Sequence, residues 1–204
     1  LICLPENADP GKVAALRRYG VELAFHGTDC LATELYAKQR AAESGMTWVS
    51  PYNDPAVIAG QGTVGKEILE DLPEVDAILA TVGGGGLIAG VAACIKALQP
   101  SIKVIGVEPE EAPCMYEALK RQRRVTLKQV GIFADGVAVR QAGREPYRIA
   151  RKYVDDMILV STDEICAAIK DVFDDSRSIV EPAGALAVAG IKKYVEQTGV
   201  SGEG

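Results

Sequence analysis

The sequence predicts an α/β protein with two lobes, each built on a mostly parallel sheet with flanking helices. Short apolar runs alternate with amphipathic runs along the whole chain, as in β-α-β units. The run DAILATV is apolar on both faces, which is typical of a strand buried in a parallel sheet. The proline-rich stretch PYNDP interrupts the alternation, so we place a smaller lobe over 1–52 and a larger one over 53–204.

In the smaller lobe, LICLP, VELAF and TWVS predict three short strands. The stretch GKVAALRRYG predicts a helix that ends at Gly20, because glycine is common just after a helix. A second helix is expected over 29–44, with Gly45 after it. Asn53 and Asp54, at the start of the larger lobe, suit a turn or a helix N-cap.

The larger lobe begins with the predicted helix AVIAGQGTVGKEILEDL. Its glycines Gly60, Gly62 and Gly65 each cost about 1 kcal/mol relative to alanine, so we expect them to pack closely against a neighbour. The strands DAILATV, KVIGVE and MILVS follow in order. The remaining predicted helices run to Leu98 and over 112–120, 145–154, 162–173 and 182–195.

Composition narrows the class of partner. The chain has 204 residues and a net charge of −6, which disfavours nucleic acid and anionic membranes and leaves small molecules or other proteins. No apolar run approaches the roughly 18 residues of a membrane span. The five cysteines form no CxxC pair, so we expect no zinc site or disulfide, small buried cysteines and a soluble protein in a reducing cytoplasm.

The four consecutive glycines Gly83–Gly86 lie between a predicted strand and a predicted helix. The free amides and the positive end of the helix dipole at such a point form an anion site. Glycine lets an anion approach those amides, and four glycines are more than a turn needs. The alternative is a tight turn that binds nothing.

The spacing of the glycines alone does not identify which anion the loop would bind. Gly84, Gly86 and Ala89 fit the G-x-G-x-x-G/A pattern of a dinucleotide site. Glu108 follows about twenty residues later at a strand end, where an acid that binds ribose belongs. A dinucleotide-binding oxidoreductase is therefore one candidate. His26, the only histidine, is expected to be a loop residue rather than a catalytic one.

Five segments together resemble the pyridoxal-phosphate-dependent threonine dehydratases, with serine dehydratases and serine racemases as near relatives. They are PYNDPAVIAGQGTVGKEI, TVGGGGLIAGV, VIGVEPE, FADGVAV and SIVEPAGALAVAG. The resemblance implies a two-lobed fold type II enzyme, here incomplete at both ends. It also implies that 1–52 belongs to a small mobile lobe, that 53–204 belongs to the large cofactor-binding lobe, and that pyridoxal 5′-phosphate lies between them.

The resemblance also assigns roles to residues. The cofactor's 5′-phosphate is expected on the main-chain amides of Gly83, Gly84, Gly85, Gly86 and Leu87. Glu181, in the EPAGA motif, is expected near the cofactor cleft, or else it is an acid that the dipole stabilises at a helix N-terminus. Related racemases place an aspartate of a divalent-cation site where this chain has Cys114, so no metal is expected.

The chain departs from the family pattern in its catalytic motifs. The Ser-x-Lys-x-Arg-Gly motif, which holds the Schiff-base lysine in this family, is absent, so no catalytic residue is assigned. Lys66 and Lys96 are expected on helix surfaces. For the complete enzyme the resemblance implies a homo-oligomer that converts L-threonine to 2-oxobutanoate and ammonia. The alternatives are a serine dehydratase or racemase, and a catalytically silent phosphate-binding fragment.

Overall fold

The computed structural model describes residues 1–199. Contacts between residues divide the chain into two units, Leu1–Ser50 and a second unit that begins at Pro51. This division lies two residues before the boundary predicted from the sequence. The predicted fold class is confirmed, because both units combine parallel strands with helices.

The first unit contains two parallel strands and two helices. The strands are β1 (Ile2–Leu4) and β2 (Leu23–Phe25), and the helices are α1 (Pro10–Arg18) and α2 (Cys30–Ser44). The Asp29 side chain accepts a hydrogen bond from the Ala32 amide at 2.9 Å and so caps α2, which ends at Gly45 with a left-handed φ of +69°. These local signals placed α2 correctly from the sequence.

The predicted strand TWVS is wrong. Residues 47–50 have no regular secondary structure, and the Val49 side chain is 60% exposed. A strand exists only where a neighbour accepts and donates its ladder hydrogen bonds. Among the described residues, β1 and β2 pair only with each other.

The second unit is built on a parallel sheet in the order β3-β4-β5. Its strands are β3 (Ala77–Thr81), β4 (Lys103–Pro109) and β5 (Asp156–Val160). Thr81 is in register with Val107, and Pro109 with Val160. The carboxyl ends of the three strands therefore meet at one edge of the sheet, where ligands bind in open α/β sheets.

Helices cover both faces of this sheet. They are α3 (Pro55–Asp71), α4 (Gly86–Leu98), α5 (Cys114–Lys120), α6 (Arg144–Tyr153), α7 (Thr162–Ser176) and α8 (Pro182–Thr198), with a 3₁₀ turn at Asp135–Val137. Val104 belongs to the buried cluster on one face, whereas Ile105 and Val107 belong to the cluster on the other. None of the helices formed by residues 1–199 is long and apolar enough to cross a membrane.

The crossing of α3 and α4 depends on glycine. A Cβ atom at Gly90 would lie 2.3 Å from the Ile58 carbonyl oxygen, and one at Gly62 would lie 3.2 Å from the Gly90 carbonyl oxygen. Gly65 packs against the Ile95 side chain. The predicted close packing is confirmed for Gly62 and Gly65 and is wrong for Gly60, where a Cβ atom would meet nothing within 4 Å.

The prediction of small buried cysteines holds only for Cys114, which is fully buried. Cys30 and Cys166 are exposed, so the prediction is wrong for them. Cys30 begins α2 and Cys166 lies within α7, each at an exposed position of its helix.

Candidate functional site

The glycine loop, residues 83–86, connects the end of β3 to the start of α4. Gly85 is the N-cap of α4 and has a φ of +93°, a conformation that side chains with a Cβ atom rarely adopt. The loop therefore lies at the carboxyl edge of the sheet, with the N-terminus of α4 directly after it. This is the geometry predicted from the sequence.

Protein neighbours explain why these residues are glycines. A Cβ atom at Gly84 would lie 2.3 Å from Cγ of Tyr52, and one at Gly85 would lie 2.5 Å from Cε of Met115. One at Gly83 would lie 3.0 Å from Cα of Val137, and one at Gly86 would lie 2.9 Å from Cα of Tyr52. Of the four, only Gly85 has a positive φ, so the turn itself needs fewer than four glycines, as expected. Packing against Tyr52 accounts for Gly84 and Gly86, and a side chain at Gly83 would require a small shift of Val137.

The carbonyl groups of the loop are held by the protein. The Gly83 carbonyl accepts from the Cys114 thiol at 3.4 Å, and the Gly84 carbonyl accepts from the Gly143 amide at 2.9 Å. The Gly85 carbonyl accepts from the Ala89 amide at 3.1 Å, which begins the ladder of α4. Each of these three carbonyls thus has a donor within the second unit.

The amides of the loop differ from its carbonyls. Within residues 1–199 no acceptor is recorded for the main-chain N–H groups of Gly83 to Leu87. Gly84, Gly85 and Gly86 are nevertheless buried, and a buried amide without a partner costs free energy comparable to a lost hydrogen bond. Neutral amide donors at the positive end of a helix dipole suit a phosphate group. These residues therefore fit the phosphate of pyridoxal phosphate.

Glu108 lies behind the loop and is fully buried. Its carboxyl group accepts hydrogen bonds from the amides of Met115 at 2.8 Å and Tyr116 at 2.7 Å. Burial raises the pKa of Glu108 to about 8, although these hydrogen bonds oppose the rise. At neutral pH Glu108 is therefore mostly uncharged, and it adds little negative charge beside an anion site.

The burial of Glu108 shows that the role predicted for it, an acid that binds ribose, is wrong. A ribose-binding carboxylate must face a ligand, whereas this one is 0% exposed and bonded to the start of α5. Gly84, Gly86 and Ala89 match the glycine spacing of a dinucleotide site, but the acid that would bind the ribose is missing from it. Sequence spacing placed Glu108 at the strand end correctly but could not show which way it faces.

Glu181 lies at the N-cap of α8, immediately before Pro182. Its Oε1 atom would lie 3.2 Å from a Cβ atom at Gly136, in the 3₁₀ turn that also contacts Gly83 through Val137. The Thr81 hydroxyl donates to the Ala183 carbonyl at 3.4 Å, so the start of α8 lies at the end of β3. Glu181 and the glycine loop therefore share the carboxyl edge of the sheet.

The two lysines considered from the sequence lie elsewhere. Lys66 is 64% exposed on α3, as expected. Lys96 is only 13% exposed, so its predicted surface position is wrong: it forms an ion pair with Asp155 at 2.7 Å and donates to the Ile102 carbonyl. These partners lie at the amino end of β4, the edge of the sheet opposite to the glycine loop.

Among residues 1–199, the other candidate groups form no second site. His26 stacks on Tyr36, with the ring centroids 4.4 Å apart, beyond the end of β2. Among the described residues no group of three or more His, Cys, Asp or Glu side chains could hold a metal ion. Sequence reasoning missed Tyr52, Val137 and Gly143 as neighbours of the loop, because no local pattern marks contacts between distant segments.

Comparison with known proteins identifies the family. The profile described as "Pyridoxal-phosphate dependent enzyme" matches residues 1–204, so the chain belongs to this family. It is 47% identical over 203 residues to the biosynthetic L-threonine dehydratase IlvA of Pasteurella multocida, covering 100% of this chain and 40% of that protein. It is 50% identical over 196 residues to the mitochondrial threonine dehydratase of Schizosaccharomyces pombe, covering 95% of this chain and 33% of that protein.

Solved structures agree with the fold. The processed form of threonine deaminase isoform 2 from Solanum lycopersicum matches with a TM-score of 0.92 and 40% identity, over 99% of this chain and 59% of that one. Maize serine racemase matches with a TM-score of 0.86 and 34% identity, over 92% of this chain and 57% of that one. The chain spans about 40% of the length of the Pasteurella relative.

Proposed function

We propose that this chain carries the phosphate-binding site of a pyridoxal-phosphate-dependent enzyme that converts L-threonine to 2-oxobutanoate and ammonia. One observation carries the proposal: the amides of Gly83 to Leu87 have no recorded acceptor among the described residues, at the N-terminus of α4, in a chain of this family. The bound cofactor supplies an electron sink for the carbanion formed at the α-carbon of an amino acid.

The proposed role of the glycine loop is to anchor and orient. The amides of Gly83, Gly84, Gly85, Gly86 and Leu87 bind the phosphate, and the dipole of α4 adds to its stabilisation. Binding energy gained there, far from the reacting carbon, holds the ring in one position and so lowers the entropic cost of reaction. Glu181, at the same edge, is proposed to line the cofactor cleft.

Threonine is the preferred substrate in this proposal. The relatives from Pasteurella and Schizosaccharomyces, at 47% and 50% identity, are named as threonine dehydratases. Maize serine racemase is 34% identical, so racemisation or elimination from serine is the second candidate. A silent phosphate-binding chain is the third, and it shares the glycine loop but not the reaction.

Three further assignments belong to the same proposal. The first unit is the small mobile lobe, and the second unit is the cofactor-binding lobe. The enzyme is a homo-oligomer, as the resemblance to the threonine dehydratases implies. The cytoplasm remains our expected location, although the relative from Schizosaccharomyces is named as mitochondrial.

Phosphate binding is tested by adding pyridoxal phosphate, and separately inorganic phosphate, to the ¹⁵N-labelled chain. We expect both ligands to shift the amide signals of Gly83 to Leu87 and to raise the melting temperature. Shifts confined to other residues would contradict the site. Borohydride reduction with peptide mapping then shows whether any lysine of this chain bonds to the cofactor, and we expect no single lysine to be labelled.

The reaction is tested separately, with a protein that carries this chain at the full length of its relatives. We expect 2-oxobutanoate to form from L-threonine faster than pyruvate forms from L-serine. D-serine formation from L-serine as the main reaction would favour the racemase. Phosphate binding without any of these products would favour the silent chain.

A further inference from the structure

Two buried side chains, Glu108 and Cys114, connect the end of β4 to the glycine loop, and the proposed reaction uses neither of them. Both are 0% exposed. Through its bonds to the Met115 and Tyr116 amides, Glu108 holds the first turn of α5, whose N-cap Pro113 makes no capping hydrogen bond of its own. A side chain from β4 therefore fixes where α5 begins.

The first two residues of α5 both contact the glycine loop. The Cys114 sulfur lies 3.4 Å from the Gly83 carbonyl oxygen and 3.6 Å from Oε1 of Glu108. The Met115 methyl lies 2.5 Å from the position of a Cβ atom at Gly85. Burial raises the pKa of the Cys114 thiol, so the sulfur keeps its single proton, and the Gly83 carbonyl oxygen is the nearer of its two acceptors.

Because the peptide group is planar, contacts that fix a carbonyl of the loop also fix the direction of the next amide N–H. In a planar trans peptide the C=O of one residue and the N–H of the next point in opposite directions. The bond from Cys114 to the Gly83 carbonyl therefore directs the Gly84 N–H away from α5. The bond from the Gly143 amide to the Gly84 carbonyl likewise sets the Gly85 N–H.

We propose that Glu108 and Cys114 are a positioning pair, in which Glu108 fixes the start of α5 and the Cys114 thiol holds the Gly83 carbonyl so that the Gly84 amide faces the phosphate. The pair acts through the loop and touches neither cofactor nor substrate. The inference rests on the proposed function, because it assigns a role in binding that phosphate.

The test compares Cys114→Ala, which removes the hydrogen-bond donor, with Cys114→Ser, which keeps a donor, the hydroxyl group, on a slightly shorter side chain. Cys166→Ala is the matched control, since Cys166 is exposed on α7. A thiol–carbonyl hydrogen bond is weak, so we expect Cys114→Ala to raise the dissociation constant for pyridoxal phosphate about two- to fivefold. Cys114→Ser is expected to recover at least half of this loss on a logarithmic scale, and Cys166→Ala to match the wild type.

A second readout separates positioning from general destabilisation. In the ¹⁵N-labelled chain, Cys114→Ala should reduce the shift that inorganic phosphate causes at the Gly84 amide. The shifts at Gly86 and Leu87, which belong to α4 itself, should be retained. A uniform loss at all of these amides, or an unchanged Gly84 shift, would overturn the pair. If the wild type binds no phosphate, the proposed function fails first; if it binds and Cys114→Ala is unchanged, only this inference fails.

Discussion

The two edges of the β3-β4-β5 sheet are built on opposite plans. At the amino edge, Lys96 pairs with Asp155, which also accepts a hydrogen bond from the Val104 amide at 2.7 Å. At the carboxyl edge, the amides of the glycine loop have no recorded acceptor within residues 1–199. Polar groups with hydrogen-bond partners contribute to stability, whereas buried groups without a partner favour the binding of a ligand that supplies one.

The two edges also differ in the charge of the acid at each, Asp155 and Glu108. Partners lower the pKa of Asp155, through the Lys96 ammonium and the Val104 amide, and so keep it ionised. Burial raises the pKa of Glu108 at the other edge and keeps it mostly neutral at pH 7. A neutral group behind the glycine loop leaves the dipole of α4 unopposed, which suits an anionic ligand.

The largest expected effect comes from Gly85→Ala. The new Cβ atom meets the Met115 methyl at 2.5 Å and Pro146 at 2.9 Å, in a backbone conformation with a φ of +93°. We expect the affinity for pyridoxal phosphate, measured by titration, to fall about 100-fold, because strain and misplaced amides together cost about 3 kcal/mol. Gly20→Ala, also at positive φ but with no atom within 4 Å, is the control and should bind normally. Equal losses in both variants would remove the distinction between the edge and an ordinary turn.

The next effect is a pH dependence that Glu108→Gln removes. The pKa of Glu108 is about 8 in the folded protein and near 4.5 when unfolded, so the folded state alone holds the proton between these values. The free energy of unfolding should therefore fall as pH rises through this window, by roughly 1 kcal/mol per unit. Urea denaturation from pH 5.5 to 7.5 measures it. The difference between wild type and Glu108→Gln should shrink with rising pH, and a constant difference would contradict a protonated Glu108.

At the amino edge, Lys96→Met should reduce stability without affecting cofactor binding. The change leaves the Asp155 carboxylate without its cation, so we expect a loss of about 1–2 kcal/mol in chemical denaturation. Lys66→Met is the control, since its exposed pair with Glu70 is worth about 0.5 kcal/mol or less. We expect the cofactor affinity of Lys96→Met to stay within about twofold of the wild type despite this loss of stability. A larger change in affinity would contradict the account and show that the two edges are coupled.

The smallest effect is a gain in stability from Gly60→Ala. No atom lies within 4 Å of the new Cβ atom in α3, so the helix gains propensity without a clash. We expect the free energy of unfolding to rise by about 0.5–1 kcal/mol. Gly90→Ala is the matched contrast and should lower it, because its Cβ atom meets the Ile58 carbonyl oxygen at 2.3 Å. A loss in Gly60→Ala would mean that α3 is packed more tightly on that side than the structure has it.

Local signals predicted most of the fold, and long-range contacts account for what they missed. Asp29, Asp54 and Gly45 act as the caps that their residue types predict, because capping involves only neighbours in sequence. TWVS failed as a strand because pairing requires a partner elsewhere. The pattern cannot distinguish a surface lysine from Lys96, whose aspartate is 59 residues away in the numbering.

The candidate site divides in the same way. The strand, the glycines and the helix start were readable from the sequence, because an anion site at a helix N-terminus is a local arrangement. The reason for each glycine was not readable, since Tyr52, Met115 and Val137 come from three other segments. The side to which Glu108 faces depends on α5, which the strand pattern does not encode.

The central claim is that the carboxyl edge binds a phosphate monoester through the amides of Gly83 to Leu87. The most direct measurement compares the affinities of the full chain for pyridoxal 5′-phosphate and for pyridoxal, which lacks the phosphate. Because hydrogen bonds to a charged group are worth about 1.5–3 kcal/mol, we expect the phosphorylated form to bind at least about 100-fold more tightly and inorganic phosphate to compete with it. Equal affinities, with no competition by phosphate, would contradict the account.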